Sequence, residues 1–153
     1  MNAIVFYYSN SGKTERLAFK VQNDLKCKIS KIEPKLQYGN YIKSVIRFMK
    51  NRKNKSAEEF VNEIPNLLPY DTVLIGYPIW GGDMPPFVAA FINQCKLEGK
   101  IVIPFATFGG TDISGSIKTL QQVCKEAEIK FPFNYGMSKK DNYENWMQQI
   151  MKC

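Results

Sequence analysis

Residues 72–77 read Thr72-Val73-Leu74-Ile75-Gly76-Tyr77, a continuous apolar run in a chain of 153 residues. Such a run is typical of a central parallel strand that is covered on both faces. Similar runs occur at residues 4–8 and 101–106, and each is followed by a loop and then by apolar residues at helical spacing. The sequence therefore alternates strands with helices and predicts an α/β fold with a doubly wound sheet.

Weaker patterns complete this prediction. Residues 26–33 alternate as a second strand, and residues 129–135 indicate a fifth. An apolar stripe at residues 41–50 predicts a helix within a basic segment at about 34–57. Ser56 is predicted to begin a further helix, with Phe60, Val61 and Ile64 as its buried face.

Length and composition indicate one domain that spans residues 1–153. A mass of 17.6 kDa with 44% hydrophobic and 23% charged residues is ordinary for a globular domain. No apolar stretch reaches the roughly 20 residues that span a bilayer, and the first residues lack the pattern of a secretion signal. We therefore expect a cytoplasmic protein without a membrane span.

The chain contains no histidine, and its four cysteines form no CxxC motif. Without histidine, a Ser-His or Cys-His nucleophile pair is excluded, and scattered thiols do not have the spacing of a zinc site. The sequence therefore predicts neither a catalytic side chain nor a metal site.

The net charge of +7 comes from one segment. Between Pro34 and Ala57 there are basic residues and no acid, whereas the other 14 basic residues balance all 14 acids. The basic residues are Lys35, Lys43, Arg47, Lys50, Arg52, Lys53 and Lys55. This segment is either a solvated helix surface or a docking face for an acidic partner. A nucleic-acid partner is not expected, because the rest of the domain is neutral.

Three loops rich in glycine and hydroxyl residues follow the first, third and fourth strands. In an open parallel sheet, ligands bind outside the carboxyl ends of the strands, so these loops are expected to form one site. The first reads Ser9-Asn10-Ser11-Gly12-Lys13-Thr14 and precedes a helix, as in phosphate sites built from backbone amides. A simple helix cap remains an alternative.

A nucleotide P-loop is a second interpretation of this segment, since Gly12-Lys13-Thr14 matches the end of GxxxxGK[ST]. The first glycine of that motif would fall at Tyr7, inside the strand, and the third strand lacks a terminal aspartate for Mg²⁺. The loop is too short to wrap a triphosphate.

The other two loops combine glycines with an aromatic residue. They contain Trp80-Gly81-Gly82 and Phe108-Gly109-Gly110. The tryptophan either packs over the end of the sheet or stacks on a planar ligand ring, and the glycines favour the close approach of a ligand. Two such loops beside a phosphate loop indicate a flat ring that is tethered to a phosphate.

With these motifs the sequence resembles the flavodoxin family, in its short-chain branch. The resemblance implies a five-stranded parallel sheet of order 2-1-3-4-5, helices on both faces and one noncovalent FMN. It also implies that Trp80 covers one face of the isoalloxazine ring. The residues assigned to the cofactor are Ser9, Asn10, Ser11, Gly12, Lys13, Thr14, Pro78, Ile79, Trp80, Gly81, Gly82, Thr107, Phe108, Gly109, Gly110 and Asp112.

The resemblance implies an electron carrier that shuttles electrons between redox partners through its flavin. Two other functions stay open: an FMN-dependent NAD(P)H:quinone-type oxidoreductase, and a flavin-free binding module with the same fold. An acidic redox partner is expected to dock near Lys43, Arg47, Lys50, Arg52, Lys53 and Lys55. Electrostatic docking predicts a reduction rate that falls as salt rises.

Overall fold

A parallel sheet with helices on both faces forms the centre of this computed structural model, which describes residues 1–35, 60–107, 111–136 and 142–152. The strands of the described part are β1 (Ala3–Tyr7), β2 (Lys28–Lys31), β3 (Thr72–Pro78), β4 (Ile101–Thr107), β5 (Glu128–Ile129) and β6 (Phe133–Tyr135). Its helices are α1 (Lys13–Leu25), α2 (Pro86–Gln94), α3 (Ser114–Val123) and α4 (Tyr143–Met151). The predicted α/β class is confirmed.

The strands lie in the order β2-β1-β3-β4-β5, and all of these pairs are parallel. In the middle of the sheet Val5 lies opposite Leu74, and Leu74 lies opposite Ile103. The predicted order is therefore confirmed. It places the loops that follow β1, β3 and β4 at one edge of the sheet.

The predicted fifth strand is divided, so the sheet has six strands in the described residues instead of five. β5 pairs with the start of β4, and β6 pairs with its end. Three steps separate Val102 from Phe105 in β4, whereas four separate their partners Ile129 and Phe133. The additional residue makes a bulge, and Phe131 within it has a φ of 47°.

This bulge changes which side chains face each side of the sheet. Ile129 packs with the α2 and α3 side, yet Phe133, four residues later, belongs to the other core and stacks on Trp146 of α4 at 4.5 Å between ring centroids. Because side chains alternate along a strand, Asn134 then faces the α2 and α3 side. An unbroken strand would have reversed both orientations.

Alternating residues of β1 supply two separate cores. Val5 and Tyr7 pack beneath α1 and α4, whereas Ile4 and Phe6 pack beneath α2 and α3. On the first side, α1 contributes Leu17, Ala18 and Val21, and α4 contributes Trp146, Met147 and Ile150. On the second side, α2 contributes Phe87, Val88, Phe91 and Ile92, and α3 contributes Leu120. Helices thus cover both faces, as predicted for a doubly wound sheet.

The described end of the predicted helix from Ser56 is not helical. Phe60 forms an antiparallel bridge with Pro34, and the N–H of Val61 donates to the carbonyl oxygen of Glu33 at 3.0 Å. Val61 is 58% exposed and Ile64 is 37% exposed, so the predicted burial of these two residues is wrong. Phe60 is partly buried, and its ring packs on that of Phe91 at 5.3 Å between centroids. Ser56 itself and the basic residues from Lys43 to Lys55 lie outside the described residues, and the docking face stays a prediction.

Two further findings apply to the described ranges. No helix there combines the length and apolar character needed to cross a bilayer. No group of three or more Cys, Asp or Glu side chains in those ranges is arranged to hold a metal ion.

Candidate functional site

The loop after β1 enters α1 through Gly12, whose φ is 81°. The N–H of Gly12 donates to the hydroxyl oxygen of Ser9 at 3.0 Å, which closes the loop. The first N–H groups of a helix have no acceptor within the helix, and the N-cap residue of α1, Gly12, has no side chain that could cap them. A Cβ at Gly12 would meet no other atom within 4 Å, so the loop faces open space. The amino end of α1 can therefore accept an anion.

The hydroxyl groups of this loop differ in their surroundings. Ser11 is exposed and Ser9 is half-buried, whereas Thr14 is 1% exposed. The hydroxyl of Thr14 shares a hydrogen bond of 2.7 Å with that of Thr107 at the end of β4. In this structure Thr14 joins the first and third loops, and Ser9 and Ser11 are the hydroxyl groups that a ligand can reach.

The loop after β3 contains a tight turn at Gly81 and Gly82. Their φ angles are 56° and 86°, and Trp80 and Asp83 exchange backbone hydrogen bonds of 2.8 and 3.1 Å across the turn. Two positive φ angles in succession define a type I′ turn, which glycine adopts without steric cost. The carboxylate of Asp83 accepts hydrogen bonds of 2.7 Å from the Met84 N–H and the Thr119 hydroxyl. The turn is thereby tied to α3.

The same turn lies directly against the first turn of α3. A Cβ built on Gly115 would lie 2.0 Å from the carbonyl oxygen of Gly82 and 3.2 Å from its carbonyl carbon. Only a glycine at position 115 leaves room for this carbonyl group. The close approach fixes the direction in which the Gly82 carbonyl points.

The loop after β4 is described at its two ends. Thr107 accepts a hydrogen bond of 3.0 Å at its carbonyl oxygen from the Ile79 N–H, which joins the second and third loops. The exposed Asp112 accepts from the Ser114 hydroxyl and from the Ser114 N–H, and these bonds lower the pKa of its carboxyl group. Asp112 therefore holds the start of α3. The predicted ring-binding residues Phe108, Gly109 and Gly110 lie outside the described residues.

Asn134 is a candidate site residue that the sequence motifs did not include. It lies in β6 opposite Ala106, next to the end of β4. Both polar atoms of its carboxamide are buried, and neither has a hydrogen-bond partner within the described parts of the chain. A buried amide without partners is costly, so this carboxamide is a candidate to hydrogen-bond a bound ligand. The sequence did contain a signal for this residue, because Asn134 is a polar residue near the carboxyl end of the predicted strand at residues 129–135.

These contacts bring the three loops together at one edge of the sheet. Thr107 contacts both Thr14 and Ile79, and the Thr111 hydroxyl would lie 3.9 Å from a Cβ at Gly82. The sequence model of the flavodoxin family matches residues 2–150. The chain belongs to the flavodoxin family.

Solved structures with the flavodoxin fold agree with this membership. A candidate flavoprotein from Bacteroides eggerthii is 26% identical, with a TM-score of 0.80 and 98% of each chain covered. The flavoprotein of Lactobacillus acidophilus in complex with FMN is 21% identical, with a TM-score of 0.71, 84% of this chain and 89% of that chain covered. A Fusobacterium nucleatum flavodoxin bound to FMN is 13% identical, with a TM-score of 0.53. The alignment covers 99% of this chain and 98% of that chain. No curated protein matches the sequence.

Trp80 lies in the core of this structure, whereas the flavodoxin resemblance implies that it covers a flavin ring. The indole is 0% exposed, and it makes edge-on contacts with the rings of Tyr8 and Phe87 at centroid distances of 5.7 and 6.4 Å. It therefore presents no face on which a ligand ring could stack in this structure. Ile79 is also buried, at 1% exposure, whereas Pro78 ends β3 opposite Thr107. Packing over the end of the sheet, the alternative given above, describes Trp80.

Proposed function

We propose that this flavodoxin-family protein binds FMN noncovalently at the shared loop edge and carries electrons between redox partners. The observation that carries the proposal is the amino end of α1 behind the loop at residues 9–14, where the N-cap residue Gly12 has no capping side chain. Membership of the family supports it, as do the relatives from Lactobacillus acidophilus and Fusobacterium nucleatum that hold FMN.

The residues at this edge fit each part of FMN. The N–H groups at the start of α1, with the hydroxyls of Ser9 and Ser11, would hold the phosphate. The buried carboxamide of Asn134 offers both a donor and an acceptor to the ribityl hydroxyls. The turn at Gly81 and Gly82 and the loop after Thr107 would flank the ring. FMN itself supplies the electron-transfer chemistry when bound.

The turn after β3 also offers a proton-bearing ring nitrogen a carbonyl acceptor. The carbonyl oxygen of Gly82 packs against Gly115 and is therefore directed toward α3. We assign the role of acceptor to the carbonyl oxygen of Gly81, whose residue also has a positive φ. Because glycine crosses between backbone conformations at little steric cost, this peptide can turn its oxygen toward the ring.

The cysteines support an electron carrier without thiol chemistry. Burial raises the pKa of Cys95 to about 12 and that of Cys124 to about 11, so both remain protonated thiols at neutral pH. Cys27, Cys95 and Cys124 are free, which suits the reducing cytoplasm that we propose as the location. Steady-state NAD(P)H oxidation by the purified protein distinguishes the functions, because rapid turnover without a partner would indicate the oxidoreductase instead.

The first prediction compares FMN with riboflavin, which lacks the phosphate. Hydrogen bonds to a charged group contribute about 1.5–3 kcal/mol, so we expect riboflavin to bind about tenfold to a hundredfold more weakly than FMN. Titration of the flavin-free protein with each flavin, followed by flavin fluorescence, measures both dissociation constants. Equal affinities would exclude the phosphate role of residues 9–14.

The second prediction concerns Asn134→Leu, a substitution of similar volume. Removing a buried amide that has no partner should raise the stability of the flavin-free protein by about 1–3 kcal/mol. The same change removes hydrogen bonds to the ribityl chain and should weaken FMN by about five- to tenfold. Urea unfolding and flavin titration measure the two effects.

Riboflavin provides the control for this variant, because it shares the ribityl chain with FMN. A ribityl contact requires both flavins to weaken by the same factor. Unchanged affinity for both flavins would place Asn134 outside the site, and a loss confined to FMN would assign it to the phosphate.

A further inference from the structure

A cavity of about 510 Å³ lies next to the loop at residues 9–14, on the face of the sheet that α1 covers. Its described lining consists of Lys13, Arg16, Leu17, Lys20, Thr107, Tyr135 and Gly136. Cavities that bind small molecules typically measure 300–1,000 Å³ and combine apolar walls with a few polar groups. This cavity has the size and the mixed lining of such a site.

The positive charge of the cavity is concentrated at its end near residues 9–14. Lys13 and Arg16 are exposed and lie three positions apart on α1. Within the described ranges, neither lies within 4.0 Å of a carboxylate, because Glu15 is directed elsewhere, toward Lys31 at 3.7 Å and the Tyr7 hydroxyl at 2.9 Å. The positive end of the α1 dipole adds to the attraction for an anion.

The other end of the cavity is close to neutral. The ammonium group of Lys20 lies 3.5 Å from Asp24 and 3.3 Å from Glu144, and it sits over the ring of Tyr143. An anionic ligand is therefore attracted to Lys13 and Arg16 rather than to the cavity as a whole. The charge distribution therefore orients the ligand, with its anionic group toward Lys13 and Arg16.

The described lining of the cavity includes one aromatic ring, that of Tyr135. Tyr135 is 45% exposed, and its ring packs beside Phe133 at 6.2 Å between centroids, so part of it is available to a ligand. Leu17 contributes an apolar side chain to the lining, and Thr107 contributes a hydroxyl. A planar ring can stack on Tyr135 while an anionic group on the same ligand reaches Arg16.

We propose that this cavity binds a nucleoside phosphate, with the phosphate on Lys13 and Arg16 and the base on Tyr135. The ligand has two sources. Because Lys13 belongs to both the cavity and the loop at residues 9–14, the cavity can take the AMP half of FAD, and in that form the proposal rests on the FMN site. The other source is a separate nucleotide bound beside FMN.

The test compares FMN, FAD and AMP on the full chain. Flavin fluorescence gives the dissociation constants of FMN and FAD, and calorimetry measures AMP binding to the FMN-loaded protein. If the cavity takes the AMP half of FAD, FAD should bind more tightly than FMN. If it takes a separate nucleotide, AMP should bind the FMN-loaded protein. The proposal is overturned when FAD binds no more tightly than FMN and AMP shows no binding at about 1 mM.

Two charge-matched variants locate the site. Arg16→Gln should weaken whichever of FAD or AMP binds by about tenfold. Lys118→Gln removes one exposed positive charge from α3 and should change the same constant by less than about twofold. Equal losses in both variants would indicate general charge attraction and exclude the cavity. If FMN itself fails to bind, the proposed function fails, and AMP titration of the flavin-free chain still tests the cavity.

Discussion

Gly115→Ala is expected to weaken FMN binding by about tenfold or more, although position 115 lies in a helix and away from the phosphate loop. The added Cβ would lie 2.0 Å from the Gly82 carbonyl oxygen, which is a backbone atom. Alanine normally stabilises a helix by about 1 kcal/mol relative to glycine. Forcing atoms into a packed region costs about 1–3 kcal/mol, so the steric effect exceeds the gain in helix propensity.

The strain has few ways to relax, because both partners are anchored. The hydroxyl of Ser116 bonds to the buried hydroxyl of Tyr77 at 2.9 Å, which ties α3 to β3. The carboxylate of Asp83 ties the turn to Thr119. The turn at Gly81 and Gly82 must therefore shift, and the ring contact that we assign to it shifts as well.

Flavin titration and urea unfolding of Gly115→Ala measure this effect. Lys118→Ala is the matched control, since it also introduces alanine into α3 but at an exposed position. The control should keep the wild-type affinity for FMN. Wild-type affinity in Gly115→Ala as well would contradict the assignment of the turn to the flavin.

Trp80→Ala should lower the free energy of unfolding of the flavin-free protein by about 3–5 kcal/mol, the usual cost of removing a large buried aromatic side chain. The indole is 0% exposed and contacts Tyr8 and Phe87. Domains of this size have a total stability of about 5–15 kcal/mol. The variant is therefore expected to be marginally folded.

Trp80→Phe separates packing from flavin stacking. It keeps an aromatic ring in the cluster and should cost less stability than alanine, as expected for a smaller change in buried volume. Urea unfolding of the flavin-free proteins measures the order of stability, in which Trp80→Phe should lie between the wild type and Trp80→Ala. A Trp80→Ala protein with wild-type stability but weakened FMN binding would restore the stacking role.

Much of the fold follows from the sequence because the central strands are buried on both faces. β1, β3 and β4 are continuous apolar runs for this reason. Once these strands are known to be parallel, their loops must share one edge, which places residues 9–14, the turn at Gly81 and Gly82, and Thr107 together. The shared position of these loops could thus be predicted without knowledge of tertiary contacts.

The features that the sequence did not predict depend on contacts between distant residues. The alternation at residues 129–135 gives no sign of the bulge at Phe131, after which Phe133 stacks on the distant Trp146. An aromatic residue beside glycines has the same pattern whether it points inward or outward, so the direction of Trp80 stayed open. Phe60, Val61 and Ile64 have helical spacing, but Phe60 pairs with Pro34 and Val61 bonds to Glu33 instead.

The divided fifth strand also affects how the protein behaves at high concentration. Long, flat edge strands expose backbone groups with which another copy can pair, and this pairing is a common origin of aggregation. Here the β5 and β6 edge is interrupted by Phe131 at a positive φ and by Pro132, which has no N–H to donate. The bulge that directs Asn134 toward the α2 and α3 side therefore also protects this side of the sheet from intermolecular strand addition.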